Sequence, residues 1–179
     1  IMSTDYNEEE LNDVILNYIT KYEKVGYELQ GIQIDGYASQ GGTIELNTDL
    51  SKRRAEAVHK HLVKHFEKVE RLEELNLDFQ GMGEDWERFE LLVKTAVFTD
   101  EERNRLLEIA SSNKDVDEKE AMLRKVPFWE KLVNEVLIYC RHTFITFDFD
   151  FVADKMYVEE HGTKMPMIYP ELYNVATKR

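Results

Sequence analysis

Asn47, Ser51 and Arg54 are the residues of this chain whose types and spacing best suit chemistry, and that chemistry is anion binding. A helix beginning at Ser51, with that residue as its N-cap, offers free amide donors at its first turn. Arg54, one turn further in, adds a planar fork of donors that matches a carboxylate. Two readings of Arg54 stay open at this point: a ligand-binding guanidinium, or a salt bridge to Glu45, Asp49 or Glu84 that tethers the loop. The other reactive side chains carry less. His61 and His65 have the i, i+4 spacing of a metal chelate, with His59 close by, yet no Glu follows His61 and no distant ligand is indicated, so no metal is expected. Cys140 lies at an apolar helix end beside Tyr139 and reads as a buried, inert thiol. Ser39 lacks the flanking glycines of a nucleophile elbow, although Gly41 and Gly42 follow it. Gly81-Met82-Gly83 is too short for a dinucleotide fingerprint and reads as a tight turn. With no nucleophile or acid–base pair converging, a binding module without catalytic residues or cofactors is expected.

Composition narrows the partners. The 179 residues are 42% hydrophobic, enough for one sizeable core, and one domain is the default count. Lys and Arg number 23 against 36 Asp and Glu, a net charge of −13 that opposes electrostatic binding to nucleic acid or to an anionic membrane face. A basic partner or a small ligand fits better. Cys140 is the single cysteine, so no intrachain disulfide forms. No apolar run approaches the ~18 residues of a spanning helix, so direct membrane insertion is not expected. Neither a signal peptide nor an initiator methionine opens the chain, which is therefore read as a piece of a longer protein.

The elements that must position these residues follow from periodicity. From Ile1 to Lys24, Leu11, Val14, Ile15, Tyr18, Ile19 and Tyr22 form one helical stripe, with Thr4 or Asn7 as cap. Gly26 ends that helix, and Glu28 to Tyr37 alternates as a half-buried strand with Ile32 and Ile34 inward. Gly36, Gly41 and Gly42 lead into a loop through Asn47, followed by the helix that turns Ala55, Val58, Leu62 and Phe66 inward. After a charged linker from Lys68 to Glu74, a second strand carries Leu75, Leu77 and Phe79. Trp86 to about Cys140 is helical, with a capping box at Thr99 and Glu102, a polar connector from Ser111 to Lys119, and Pro127 in the first turn of the last helix. Thr143 to Val152 is the clearest strand, Ile145, Phe147, Phe149 and Phe151 facing one side and Thr146, Asp148 and Asp150 the other. Met156 to Val158 reads as a short extended piece, and the tail with Pro166 and Pro170 as a linker or the start of another module.

The run GYASQGG, then Asn47, then LSKRRAEAV closed by Leu62, and GMGE after the next strand resembles the OmpA-like domain, the peptidoglycan-associating module of Gram-negative envelopes. The likeness covers roughly residues 3 to 152. A long helical segment after GMGED, returning through Tyr139-Cys140-Arg141 into the last strand, resembles the variant common in Bacteroidetes envelope proteins. The resemblance implies an α/β (α+β) fold of order β-α-β-α-β, a mixed sheet with helices on one face and a helical insertion at about 85–140. Residues 1–154 would form the domain and 155–179 an extension or linker. It further implies a periplasmic, outer-membrane-associated module that grips the zwitterionic diaminopimelate side chain of the peptide stem without cleaving it. The family's arginine falls on Arg54, its loop asparagine on Asn47, and its aspartate on Ser39, so the carboxylate that would meet the ammonium is missing unless Glu45 or Asp49 substitutes. Losing half of such a charged pair costs on the order of a few kcal/mol. The alternative use of the fold is a protein–protein scaffold in the envelope, with Trp86 and the insertion as its contact surface. The family's first strand, expected just before Ser3, would be absent or reduced to Ile1-Met2, leaving a sheet edge open.

Overall fold

Helix α1 (Glu8–Glu23) stops where Gly26, at φ 89°, turns the chain into strand β1 (Tyr27–Ala38). A crossover helix, α2 (Ile44–Lys68), and a short 3-10 turn (Leu72–Glu74) lead to strand β2 (Asn76–Glu84). Four helices follow: α3 (Trp86–Thr95), α4 (Asp100–Ser111), α5 (Val116–Leu123) and α6 (Trp129–Leu132), the last continuing as a π-helix (Val133–Leu137). Strand β3 (Thr143–Phe151) closes the order, and the three strands pair as β2-β1-β3. This computed structural model describes residues 8–68 and 72–152. The expected first strand, the caps at Thr4 and Asn7, the piece from Met156 to Val158 and the tail lie outside the described residues.

The class is the expected one, a mixed α/β fold on a mixed sheet. β1 and β3 are antiparallel: the Tyr37 amide donates to the His142 carbonyl (2.9 Å) at one end of the pair, and the Val152 amide donates to the Gly26 carbonyl (2.7 Å) at the other. The described residues divide into two compact units at Gly31/Ile32 and Thr146/Phe147. In the first, Ile15, Ile19 and Leu29 are buried, and Tyr22 stacks on Phe149 with ring centroids 5.1 Å apart, flanked by Tyr18 on Phe147 and Tyr27 on Phe151. The aromatic face of β3, whose alternation suggests a buried side, is only half-covered, with Phe151 49% exposed.

In the second unit α2 lies unusually close to its strands, because the sheet presents glycine beneath it. A Cβ at Gly36 of β1 would come within 2.2 Å of the Ser51 carbonyl oxygen, and one at Gly81 of β2 within 2.5 Å of the Lys52 amide. Neither position has room for a side chain, which corrects the reading of Gly81 as a turn residue: β2 runs through Gly81 and Gly83 to Glu84. Ile34, Ala55, Leu62 and Phe66 complete the contact as buried apolar groups.

Helices α3 to α6 enclose a core of their own around Phe89, Leu106, Ile109, Leu123, Leu132 and Val136. Their starts are capped as local chemistry dictates: Asp85 accepts from the Arg88 amide, Asp115 accepts from the Glu118 amide, and Thr99 with Glu102 forms the expected capping box. The polar connector is shorter than expected, since Asp115 already opens α5, and Pro127 precedes α6 rather than entering it. Arg103 bolts the α3–α4 turn, donating to the carbonyls of Val93 (2.6 Å), Lys94 (2.8 Å), Ala96 (3.3 Å) and Phe98 (3.1 Å). Replacing Arg103 with Ala is expected to destabilise the chain by about 2–3 kcal/mol, and Lys is expected to restore little, because an ammonium cannot span four carbonyls as the fork does. Urea titration of both variants measures this; a loss under about 0.5 kcal/mol for Arg103→Ala would refute it.

Candidate functional site

Site geometry differs from expectation first at the start of α2. The helix begins at Ile44, seven residues before Ser51, so Asn47 lies in its first turn and Arg54 in its third. Thr43 is the cap, its Oγ1 accepting from the Leu46 amide (3.3 Å). Ser51 is buried inside the helix, where its hydroxyl donates to the Thr48 carbonyl (2.8 Å) and accepts from the Gly83 amide (3.0 Å), tying α2 to β2. Two amides at this helix start face acids from α5: Gly42 N–H donates to Glu120 (3.2 Å) and Ile44 N–H to Asp117 (3.3 Å). Arg124, a turn on, donates to the Gly41 carbonyl (2.7 Å). Asp117, Glu120 and Arg124 share one face of the α5 segment, i, i+3 and i+7, and together clasp residues 41–44. Ser51 is therefore not the helix start, and at the true start the protein's own carboxyl groups meet Gly42 and Ile44.

Asn47 belongs to the same clasp. It is 3% exposed, and its side-chain amide donates to Glu84 and to Glu120 (3.1 Å). Glu120, also 3% exposed, carries a carboxyl pushed up to about 8, first by burial and then by the adjoining Glu84, against the opposing pull of the Gly42 amide and Arg124. One buried oxygen of Glu84, Oε2, has no other partner among the described residues, which a proton held between the two carboxyls satisfies. The sequence offers Glu84 as one of three possible partners of Arg54 and passes over Glu120, because the i, i+3, i+7 stripe that marks it reaches into a stretch reading as a polar connector. Glu120, buried with the Oε2 of Glu84, positions the loop.

Arg54 stands apart from that pair, at the end of β1. Its Nη1 donates to the Tyr37 carbonyl (2.8 Å), and none of Glu45, Asp49 or Glu84 pairs with it. Asp49 is bound instead by Arg53 (2.8 Å), and Glu45 is exposed in the first turn of α2. Burial, followed by the nearby charges of Arg141 and Arg53, holds the Arg54 guanidinium below its ordinary value. Ser39 lies two residues beyond Tyr37, 9% exposed, and its hydroxyl accepts from Arg141 Nε (3.1 Å). Arg141 figured in the sequence reading only within the Tyr139-Cys140-Arg141 return to the last strand, with no site role; it reaches Ser39 because β3 pairs beside β1. His142 stacks on Tyr37 with centroids 4.7 Å apart, its Nδ1 donating to the Cys140 carbonyl (3.1 Å) and its Nε2 3.3 Å from Asp85. Cys140 is fully buried and its thiol is pushed up to about 12 by burial, which removes it as a nucleophile. His59 packs on Phe79 and His65 against Phe66, and no metal-holding group of His, Cys, Asp and Glu occurs among the described residues. An open depression of about 730 Å³ on α4, lined by Glu101, Arg105, Glu108 and Phe128 among others, contains none of the groups around Arg54.

The fold is a mixed α/β module that sets Arg54 at the end of β1. The chain belongs to the OmpA family, whose model matches residues 8–105, more than half of its length. No curated protein and no solved structure matches it. Domains of this family are binding modules associated with the cell envelope, and no described helix is long and apolar enough to cross a membrane.

Proposed function

We propose that this chain is a non-catalytic module that binds the diaminopimelate-bearing peptide stem of peptidoglycan in the periplasm, as part of an outer-membrane-associated protein of the Bacteroidetes type. Arg54 takes the carboxylate, Ser39 supplies a hydroxyl beside it, and Asn47 supports the loop from within. The observation that carries this reading is Arg54 itself: a half-buried guanidinium with one carbonyl partner and no carboxylate partner among the described residues, at the position where the resemblance puts the ligand arginine. Purified peptidoglycan is expected to co-sediment with the chain saturably. Arg54→Ala is expected to lower that affinity at least about tenfold, the worth of one charge-assisted contact. Failure of the parent to saturate, or an undiminished variant, would sink the reading.

A second reading, a protein–protein scaffold, is favoured by apolar side chains exposed on the helical segment: Leu91 (59%), Val97 (79%) and Tyr139 (54%). Trp86 is not among them, since it packs on Phe89 with Lys119 over its ring. Changing the three exposed residues to Ser should then abolish cross-linking to envelope proteins while leaving peptidoglycan binding intact; retained cross-linking counts against this use.

A further inference from the structure

Three arginines gather around the end of β1 without ion-pair partners among the described residues, in a chain with 36 Asp and Glu. Arg54 reaches the Tyr37 carbonyl from α2, Arg141 reaches the Ser39 hydroxyl from the approach to β3, and Arg88 of α3 donates to the Tyr139 carbonyl (2.9 Å). Carboxylates lie near as well: Asp85, which accepts from the Arg88 amide at the start of α3 and stands 3.3 Å from His142 Nε2, and Asp35 and Glu87, whose charges with that of Asp85 act on Tyr37. Arg54 and Arg141 are tethered two residues apart on the same segment, near enough for the charge of Arg141 to weigh on Arg54. Each uses one hydrogen-bond donor group there and keeps others for a ligand. Two like charges held together and partly removed from water favour an anion between them and oppose a cation.

The geometry points to a site that selects a carboxylate with no free ammonium beside it, bridged by Arg54 and Arg141 with the Ser39 hydroxyl at its side. This rests on the peptide-stem reading and sharpens it: the form of the stem that suits the site is one whose diaminopimelate amine is acylated. An unacylated amine would bring a positive charge toward Arg141, with a hydroxyl already engaged where an aspartate would be needed.

Pimelate and diaminopimelate differ only in the two amines, which makes them the discriminating probes. By titration calorimetry, pimelate and N-acetylated diaminopimelate are expected to bind at least about tenfold more tightly than diaminopimelate itself, and inorganic phosphate more weakly than pimelate. Ser39→Asp, which places a carboxylate against Arg141, should reverse the order of pimelate and diaminopimelate. Arg141→Gln retains a donor for Ser39 but not the charge, so it should weaken pimelate binding by about tenfold with thermal stability unchanged. Diaminopimelate binding as tightly as pimelate, phosphate binding more tightly, or no binding of any probe would overturn the assignment. Pimelate selectivity in a chain that does not co-sediment with peptidoglycan would instead uphold the selectivity and overturn the peptide-stem reading.

Discussion

Gly36→Ala is expected to lose at least about 3 kcal/mol of stability, a fall in Tm of roughly 6–12 °C for a chain of this size. The added methyl meets backbone on the α2 side, 2.2 Å from the Ser51 carbonyl oxygen and 2.8 Å from the Ala55 amide nitrogen, so no rotamer change relieves it. The whole helix must lift from β1. That movement would break the hydrogen bond from Gly83 to Ser51 and carry Arg54 off the Tyr37 carbonyl. Gly41→Ala is the control, because its added carbon finds only Trp129 at 3.9 Å, an ordinary contact. Thermal unfolding of both variants, with ligand titration of any Gly36→Ala protein that stays folded, checks the argument. Equal Tm values for the two variants would show that α2 does not lie as close as the glycines indicate.

The second large effect is a dependence on pH through Glu120. Its carboxyl ionises at about 8 in the folded chain and near the ordinary carboxylate value once unfolded. Between those two values the native state holds a proton that the unfolded state has released. Stability is therefore greatest below the unfolded value and falls as pH rises toward 8, after which the loss is complete. The loss is on the order of a few kcal/mol, or roughly 5–10 °C in Tm. Other carboxylates add a repulsive slope in a chain of net charge −13, so the parent must be compared with Glu120→Gln. The amide keeps an acceptor for Gly42 and Asn47 and presents a permanent donor to Glu84. Glu120→Gln is expected to match the parent near pH 5 and exceed it near pH 9. Parallel Tm curves for the two across that range would exclude a proton held between Glu84 and Glu120.

Most elements, among them the helices that carry Arg54 and Arg88, were legible from periodicity, since one apolar face and a few caps determine where helices and strands run. The start of α2 was not. Thr43 caps without the acidic third residue of a capping box, whereas Ser51 looks like a cap and is instead held by Gly83 through the sheet. Arg54 was recognisable because a motif of fixed spacing surrounds it. Its companions were not: Arg141 meets Ser39 across 102 positions of chain, and Glu120 meets Asn47 across 73. Such contacts depend on which strand pairs with which and on how a helical segment folds back, and periodicity carries no record of either. The glycines show the same limit. Their spacing announces turns, while the work of Gly36 and Gly81 is to let a helix backbone approach.

Both tryptophans of the chain, Trp86 and Trp129, belong to the segment that carries Glu120, and none lies in the sheet or in α2. Intrinsic indole fluorescence is therefore a private reporter of that segment. Trp129 sits against Gly41 of the clasped loop, and Trp86 lies beneath Lys119, next to Glu120. An emission change that precedes the loss of far-ultraviolet circular dichroism on alkaline titration would time the release of the clasp separately from the melting of the sheet.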